Sequence, residues 1–195
     1  MRGRALAAIG GAIFALTLLV AVVSRAADVA ATLKAGTFDP PRDAPELSLV
    51  GSDGQPLSLA RFRGRVVVVE FGFTSCPNVC PTTLATIARA HTLSTAAGKD
   101  FQLVYVTVDP EHDDAARLHD YLAHFDPAFV GGTGSAEQLA ALRKAYGIEA
   151  TRTDTGYSHS SFTYLVDPAG KLRALMPFGS SAEDYVHDVA LLWKP

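Results

Sequence analysis

VVVVEFGFTSCPNVCPTT, residues 66–83, runs from an apolar β-branched stretch straight into a turn that carries both cysteines of the chain, Cys76 and Cys80. Four valines followed by Glu70-Phe71-Gly72-Phe73 read as a strand buried on both faces, the kind found at the centre of a mostly parallel sheet. Beyond the cysteines, Pro81 to Ala97 reads as a helix, with Leu84, Ile87, Ala88 and Leu93 marking a face. Gly98 is placed to end it. The cysteines therefore lie where a central strand hands over to a helix, and open α/β sheets bind ligands at such strand ends.

Upstream, APELSLVGSDGQPLSLARFRGR (44–65) gives two short strands around Ser52-Asp53-Gly54. Downstream, FQLVYVTV (101–108) is a second central strand and Asp113 to Phe125 a helix. FVGG (129–132) reads as a short edge strand, and Ser135 with Gln138 forms a capping box that opens a helix to Tyr146. After a loop, SFTYLV (161–166) and KLRALM (171–176) form a hairpin over Asp167-Pro-Ala-Gly170, and Ser180 with Glu183 opens a last helix to Trp193. Strands alternating with helices mean an α/β fold. The cysteine turn, the late hairpin and the closing helix make it thioredoxin-like: a mostly parallel central sheet with an N-terminal β-hairpin and a C-terminal hairpin plus helix.

The chain begins with Arg2 and Arg4 ahead of an uncharged run from Ala5 to Ser24. At ~1.5 Å per residue this run nearly crosses a ~30 Å hydrocarbon core. It reads as an uncleaved transmembrane anchor or as a long signal segment with small residues, Ser24 and Ala26, before a cleavage point. The arginines stay on the cytoplasmic side, so the remainder is expected on the exported face, on the periplasmic side of a bacterial membrane. The expected organisation is residues 1–26 as anchor or signal, 27–43 as linker and 44–195 as one domain. A net charge of −3, with no basic run, argues against a nucleic-acid partner.

Two thiols four residues apart allow a Cys76–Cys80 disulfide, a redox couple or a pair of metal ligands. Residues i and i+4 share a helix face, and a helix N-terminus favours thiolate over thiol. Two converging, partly ionised thiolates are therefore expected. A purely structural disulfide would close too short a loop to restrict the unfolded chain much. Thioredoxin-type redox enzymes use C-x-x-C and set a cis-proline just before the late hairpin. Here the spacing is one residue longer, and TGYSHSSFTYLV (155–166) contains His159 and no proline. Two thiolates suit Cu(I), and one added imidazole gives a set suited to Cu(I) and Cu(II). Zinc also accepts Cys₂His plus water. His91, His112, His119, His124 and His187 read as surface or helix-face residues, whereas His159 lies in the loop expected to face the cysteines.

EFGFTSCPNVCP, VTVDPEHD and HSSFTYLVDPAGKL, in that order, resemble the SCO/SenC family of copper chaperones, and the resemblance extends from about Pro45 to the C-terminus. It implies a membrane-anchored thioredoxin-like domain that binds one copper ion, as Cu(I) or Cu(II). It also implies a role in assembling the binuclear CuA site of cytochrome c oxidase subunit II. The family's ligands fall on Cys76, Cys80 and His159. Methionine occurs only at positions 1 and 176, so copper is expected to come from another copper chaperone rather than from a local methionine-rich store.

Three departures stand out. Asn78 replaces the frequent Asp between the cysteines, and His112 replaces the usual Arg after D-P-x. Asp109 is retained and reads as the cap of the next helix. Glu70 stands on the central strand where relatives carry an aromatic residue. It is read either as pairing with an Arg or Lys, or as a buried proton acceptor, the part played by the thioredoxin carboxylate at this spacing. The second part would suit an enzyme: a thiol–disulfide reductase using Cys76, Cys80 and Glu70, which keeps a partner's copper-ligand cysteines reduced.

Overall fold

The structure, a computed structural model, describes residues 32–154 and 156–193. The segment read as an anchor or signal lies outside the described residues. Among those described, no helix is long and apolar enough to cross a membrane.

An eight-stranded sheet in the order β1-β10-β9-β4-β5-β6-β2-β3 forms the frame. Its centre is β4 (Val66–Gly72), buried at every position, as the valine run requires. β5 (Phe101–Thr107) pairs parallel to it, Glu70 opposite Tyr105 and Gly72 opposite Thr107. β9 (Phe162–Val166) pairs antiparallel on the other side, Glu70 opposite Thr163. β10 (Lys171–Pro177) completes the late hairpin, and β2 (Leu49–Gly51) with β3 (Pro56–Leu57) the early one. The helices are α1 (Val79–Ala96), α2 (Ala115–Ala123), α3 (Ala136–Tyr146) and α4 (Ala182–Leu192). The capping box of α3 is Ser135 with Gln138, and Gly147 closes that helix in the left-handed conformation (φ 73°) that glycine adopts without steric cost.

Because side chains alternate along a strand, β4 divides the interior in two. Phe71 faces α3, its ring 5.2 Å from Tyr146 and 6.0 Å from Tyr164. Glu70 and Gly72 face the layer containing α1 and α4. The cysteine turn leaves β4 at its C-terminal end, as expected of a strand-end ligand site.

Four sequence expectations are corrected. Residues 36–43, assigned to a linker, form β1 (Gly36–Asp43), antiparallel to β10. The tie starts earlier: buried Asp188 on α4 accepts the backbone N–H of Lys34 (2.8 Å) and Ala35 (2.9 Å). β1 is exposed along most of its length and carries Pro40 and Pro41. It therefore lacks the apolar alternation that marks a strand, and only a sheet edge tolerates those prolines. FVGG is not an edge: β6 (Val130–Thr133) lies between β5 and β2, because the early hairpin returns to cover it. The cap of α4 is Ser181 with Asp184, one residue beyond the expected pair. The loop before the late hairpin is itself a hairpin, β7 (Ala150–Thr153) with β8 (Gly156–His159), in a separate two-stranded sheet.

Candidate metal centre

Cys80 is the second residue of α1 and is wholly buried, while Cys76, in the turn, is half-buried; both thiols are free. The Cys80 backbone N–H points at Cys76 Sγ, 3.4 Å away. His159 ends β8 and brings Nε2 to 3.7 Å from Cys80 Sγ. The other ring nitrogen, Nδ1, lies 2.9 Å from the Ser160 carbonyl oxygen. A carbonyl only accepts, so Nδ1 carries the proton in the neutral ring, and Nε2 presents its lone pair to the sulfur. With metal–donor bonds of roughly 2.0–2.3 Å, neighbouring ligand atoms at trigonal to tetrahedral angles lie roughly 3.3–4 Å apart. The Cys80–His159 pair already has that spacing. Cys76 stands wider, and the three donor atoms do not all fall within 4.8 Å of one another.

The turn is held from below by Asp113, a fully buried residue that the sequence reading passed over. Its carboxylate accepts the Thr74 N–H (3.0 Å), the Thr74 hydroxyl (2.6 Å) and the Thr107 hydroxyl (2.7 Å). This joins the start of the cysteine turn to the end of β5. Asp109, read as the helix cap, instead meets His112 Nδ1 at 2.9 Å; the cap of α2 is Asp114, which accepts the Arg117 N–H. Phe73 supports the histidine side, its ring 6.1 Å from His159 and 6.0 Å from Tyr157. Above the site opens a cleft of about 370 Å³ lined by Phe73, Cys76, Pro77, Asn78, Tyr157 and His159 among others. Cys76 and His159 thus face the cleft, while Cys80 is shut behind them.

The expectation of two partly ionised thiolates fails at Cys80. Burial, reinforced by the adjacent Cys76 thiol, pushes the Cys80 thiol up to about 12. Desolvation is the largest cause, and the Phe73 backbone opposes it only in part. Cys80 is therefore a thiol until a metal ion displaces its proton.

Glu70 is buried and makes no ion pair among the described residues, so the expected Arg or Lys partner is absent there. It accepts instead from the Thr163 hydroxyl, which in turn accepts from Tyr185 on α4 (2.9 Å). Burial, only partly opposed by Thr163, pushes its carboxyl up to about 8. The other histidines lie elsewhere. His91 is a buried helix-face residue whose two nitrogens meet Asp126 (2.6 Å) and Asp100 (2.7 Å). His124 bonds the Asp120 carbonyl, and His187 bonds Asp188.

Comparison with known proteins identifies the family. The SCO1/SenC family profile matches residues 35–194. A putative copper-binding protein of Stutzerimonas stutzeri is 41% identical over 138 residues, 68% of each chain. The mitochondrial SCO2 homologue of Mus musculus is 35% identical over 153 residues, 74% of this chain and 60% of that one. The chain thus spans about two thirds of the length of these relatives. The copper-bound crystal structure of Arabidopsis thaliana ScoI superposes with a TM-score of 0.71 at 27% identity, covering 76% of this chain and 95% of that one. With its thioredoxin-like sheet, its cysteine turn and the histidine seated against it, this chain belongs to the SCO1/SenC family.

Proposed function

We propose that the protein binds one copper ion per chain through Cys76, Cys80 and His159, and serves in building the CuA site of cytochrome c oxidase subunit II. The observation that carries this reading is the free Nε2 of His159, held 3.7 Å from Cys80 Sγ by the bond from Nδ1 to the Ser160 carbonyl. A Cys₂His copper site requires an imidazole held in that tautomer, with its unprotonated nitrogen facing the sulfur. Copper is cargo in this scheme. Cys76 and His159 face the cleft, so an incoming partner thiolate meets them first, and the ion leaves by ligand exchange with Cys80 released last. The names of the relatives, one copper-binding and one solved with copper, support the choice of metal.

The domain from residue 44, extended back to Leu33 where the compact unit begins, would stand on the exported face. Residues 1–26 would anchor it to the membrane or direct its export. Copper would be donated by another copper chaperone.

The test is Cu(II) addition to the reduced chain, followed by its thiolate-to-copper charge-transfer bands and by stoichiometry. One copper per chain is expected, with intense bands that collapse in His159→Ala. Simple oxidation of the cysteines to a disulfide, identical in the variant, would overturn the metal reading.

One observation favours a second activity. A buried carboxyl without an ion-pair partner, raised to about 8, lies on the same face of β4 as the cysteine site. Such a group exchanges protons near neutrality, which suits thiol–disulfide reduction of a partner. Glu70→Gln is expected to leave copper affinity unchanged and to slow thiol exchange; equal exchange rates would remove Glu70 from that chemistry.

A further inference from the structure

Among the described residues, four buried side-chain polar atoms lack a hydrogen-bond partner, and two of them, the hydroxyls of Tyr105 and Tyr121, belong to one cluster beside the cysteines. Tyr105 lies on β5, 0% exposed, in register with Glu70. Its ring runs along the sheet towards the C-terminal end of β4, where Gly72 has no side chain. A Cβ at Gly72 would overlap the Tyr105 hydroxyl and come within 2.9 Å of Cys80 Sγ. The hydroxyl and the sulfur therefore converge on the space that this glycine leaves empty. Tyr121 does not satisfy the hydroxyl, since both remain unpaired although the rings are 6.1 Å apart.

A buried hydroxyl left without a partner is costly, and a phenylalanine would fill the same volume without that cost. The hydroxyl faces Cys80 and already opposes, weakly, the rise of its thiol, without a hydrogen bond of ordinary geometry; the arrangement makes sense if that bond is completed later. A thiol is a weak acceptor, whereas a thiolate accepts well, and a bound metal ion turns Cys80 into a thiolate.

We infer that Tyr105 is a positioning residue for the metal centre: its hydroxyl donates a hydrogen bond to the Cys80 thiolate once copper is bound, and so sets the balance between Cu(I) and Cu(II). The inference rests on the copper reading above. Drawing electron density from the sulfur lowers its donor strength, which favours Cu(I) over Cu(II). It also selects the ligand that lies behind the cleft, out of reach of water, where a hydrogen bond has its full electrostatic weight.

The test compares the wild-type chain with Tyr105→Phe, each loaded with one equivalent of copper. In the variant the thiolate-to-Cu(II) charge-transfer bands should move to longer wavelength, the copper reduction potential should fall, and Cu(I) should bind about tenfold more weakly. Metal-free stability should stay equal or rise, since an unpaired hydroxyl has been removed. A role in packing alone would leave band position and potential unchanged, and that result would overturn the inference while the copper site stands. Failure of the wild-type chain to bind copper would overturn both readings together. Should Tyr105→Phe not fold, proton NMR of the Cu(I)-loaded wild-type chain decides. One slowly exchanging tyrosine hydroxyl, present with copper and absent without it, is the expected result; no such proton in the loaded chain overturns the inference.

Discussion

The cysteine turn and the β7–β8 hairpin meet at one 3.7 Å contact, Cys80 to His159, but are held in place by different means. Cys80 sits on a helix against a strand with no exposed residue, and the turn before it is pinned by two hydrogen bonds from Thr74 to buried Asp113, which Thr107 of β5 also holds. The hairpin carrying His159 stands outside the main sheet, its residues exposed or half-buried. A two-stranded ribbon is marginal by itself. This one leans on Phe73 through Tyr157 and His159, with Gly156 closed against the same ring, where a Cβ would come to 2.7 Å. One proposed ligand is thus fixed by the core and another by an aromatic support. Such a division suits a site that must hold an ion and then release it, because the histidine can leave without disturbing the fold.

The largest effect should come from the fixed half and should touch copper least. Glu70 has a folded-state pKa of about 8 against an ordinary value of 4.5. Raised in the folded state, the group costs no stability below about pH 4.5. The penalty builds as pH rises, at up to about 1.4 kcal/mol per unit, and levels off above pH 8. Glu70→Gln should remove this slope, leaving the variant the more stable protein at pH 8, by an upper bound of about 5 kcal/mol. Denaturant unfolding from pH 5 to 9 checks it; parallel stability curves for the two proteins would show that the carboxyl is ionised and compensated after all.

Phe73→Ala comes next and should break the comparison itself. Removing a buried Phe costs about 3–5 kcal/mol, and here it also takes away the hairpin's support. Copper binding should weaken along with stability. Phe73→Leu, which keeps most of the volume, should recover stability better than it recovers copper binding, since only an aromatic face meets the His159 ring edge-on. Equal recovery of both would mean that the hairpin holds its place unaided.

On the fixed side, Asp113→Ala strands two hydroxyls and one N–H, at a cost of about 2–3 kcal/mol. The cysteine turn should loosen while the hairpin stays. Hydrogen exchange at Thr74 and Cys76 should accelerate, with the β7–β8 amides unchanged.

How far these two regions could be read in advance follows the same division. The valine run, the strand-to-helix turn and the late hairpin declare themselves through composition and period, because burial on both faces leaves little choice of residue. The hairpin did not: ATRT and GYSH have no apolar alternation, since they rest on one ring and not on a core. Residue type and topology put His159 opposite the cysteines, and the family pattern made it a ligand; the tautomer set by Ser160 needed coordinates. β1 was missed for a related reason, as its hydrogen bonds to β10 and the grip of Asp188 leave no apolar signature in GTFDPPRD. Tyr105 was legible as a core aromatic. The direction of its hydroxyl depends on a glycine in the neighbouring strand, and no local pattern encodes that.

The smallest effect sharpens the comparison most. Arg152 on β7 meets Glu111, in the loop after β5, at 2.7 Å, with both side chains more than half exposed. Exposed pairs contribute little to stability and are screened by salt, so Arg152→Ala should leave the unfolding midpoint unchanged within error. This pair is also a direct polar tie between the hairpin and the sheet's loops. If the histidine half of the site is the half that opens, loss of the pair should speed copper transfer to a competing thiol at low ionic strength, and added salt should bring the wild-type rate up to that of the variant. A transfer rate that ignores both the mutation and the salt would place the slow step at Cys80, in the half that the core holds still.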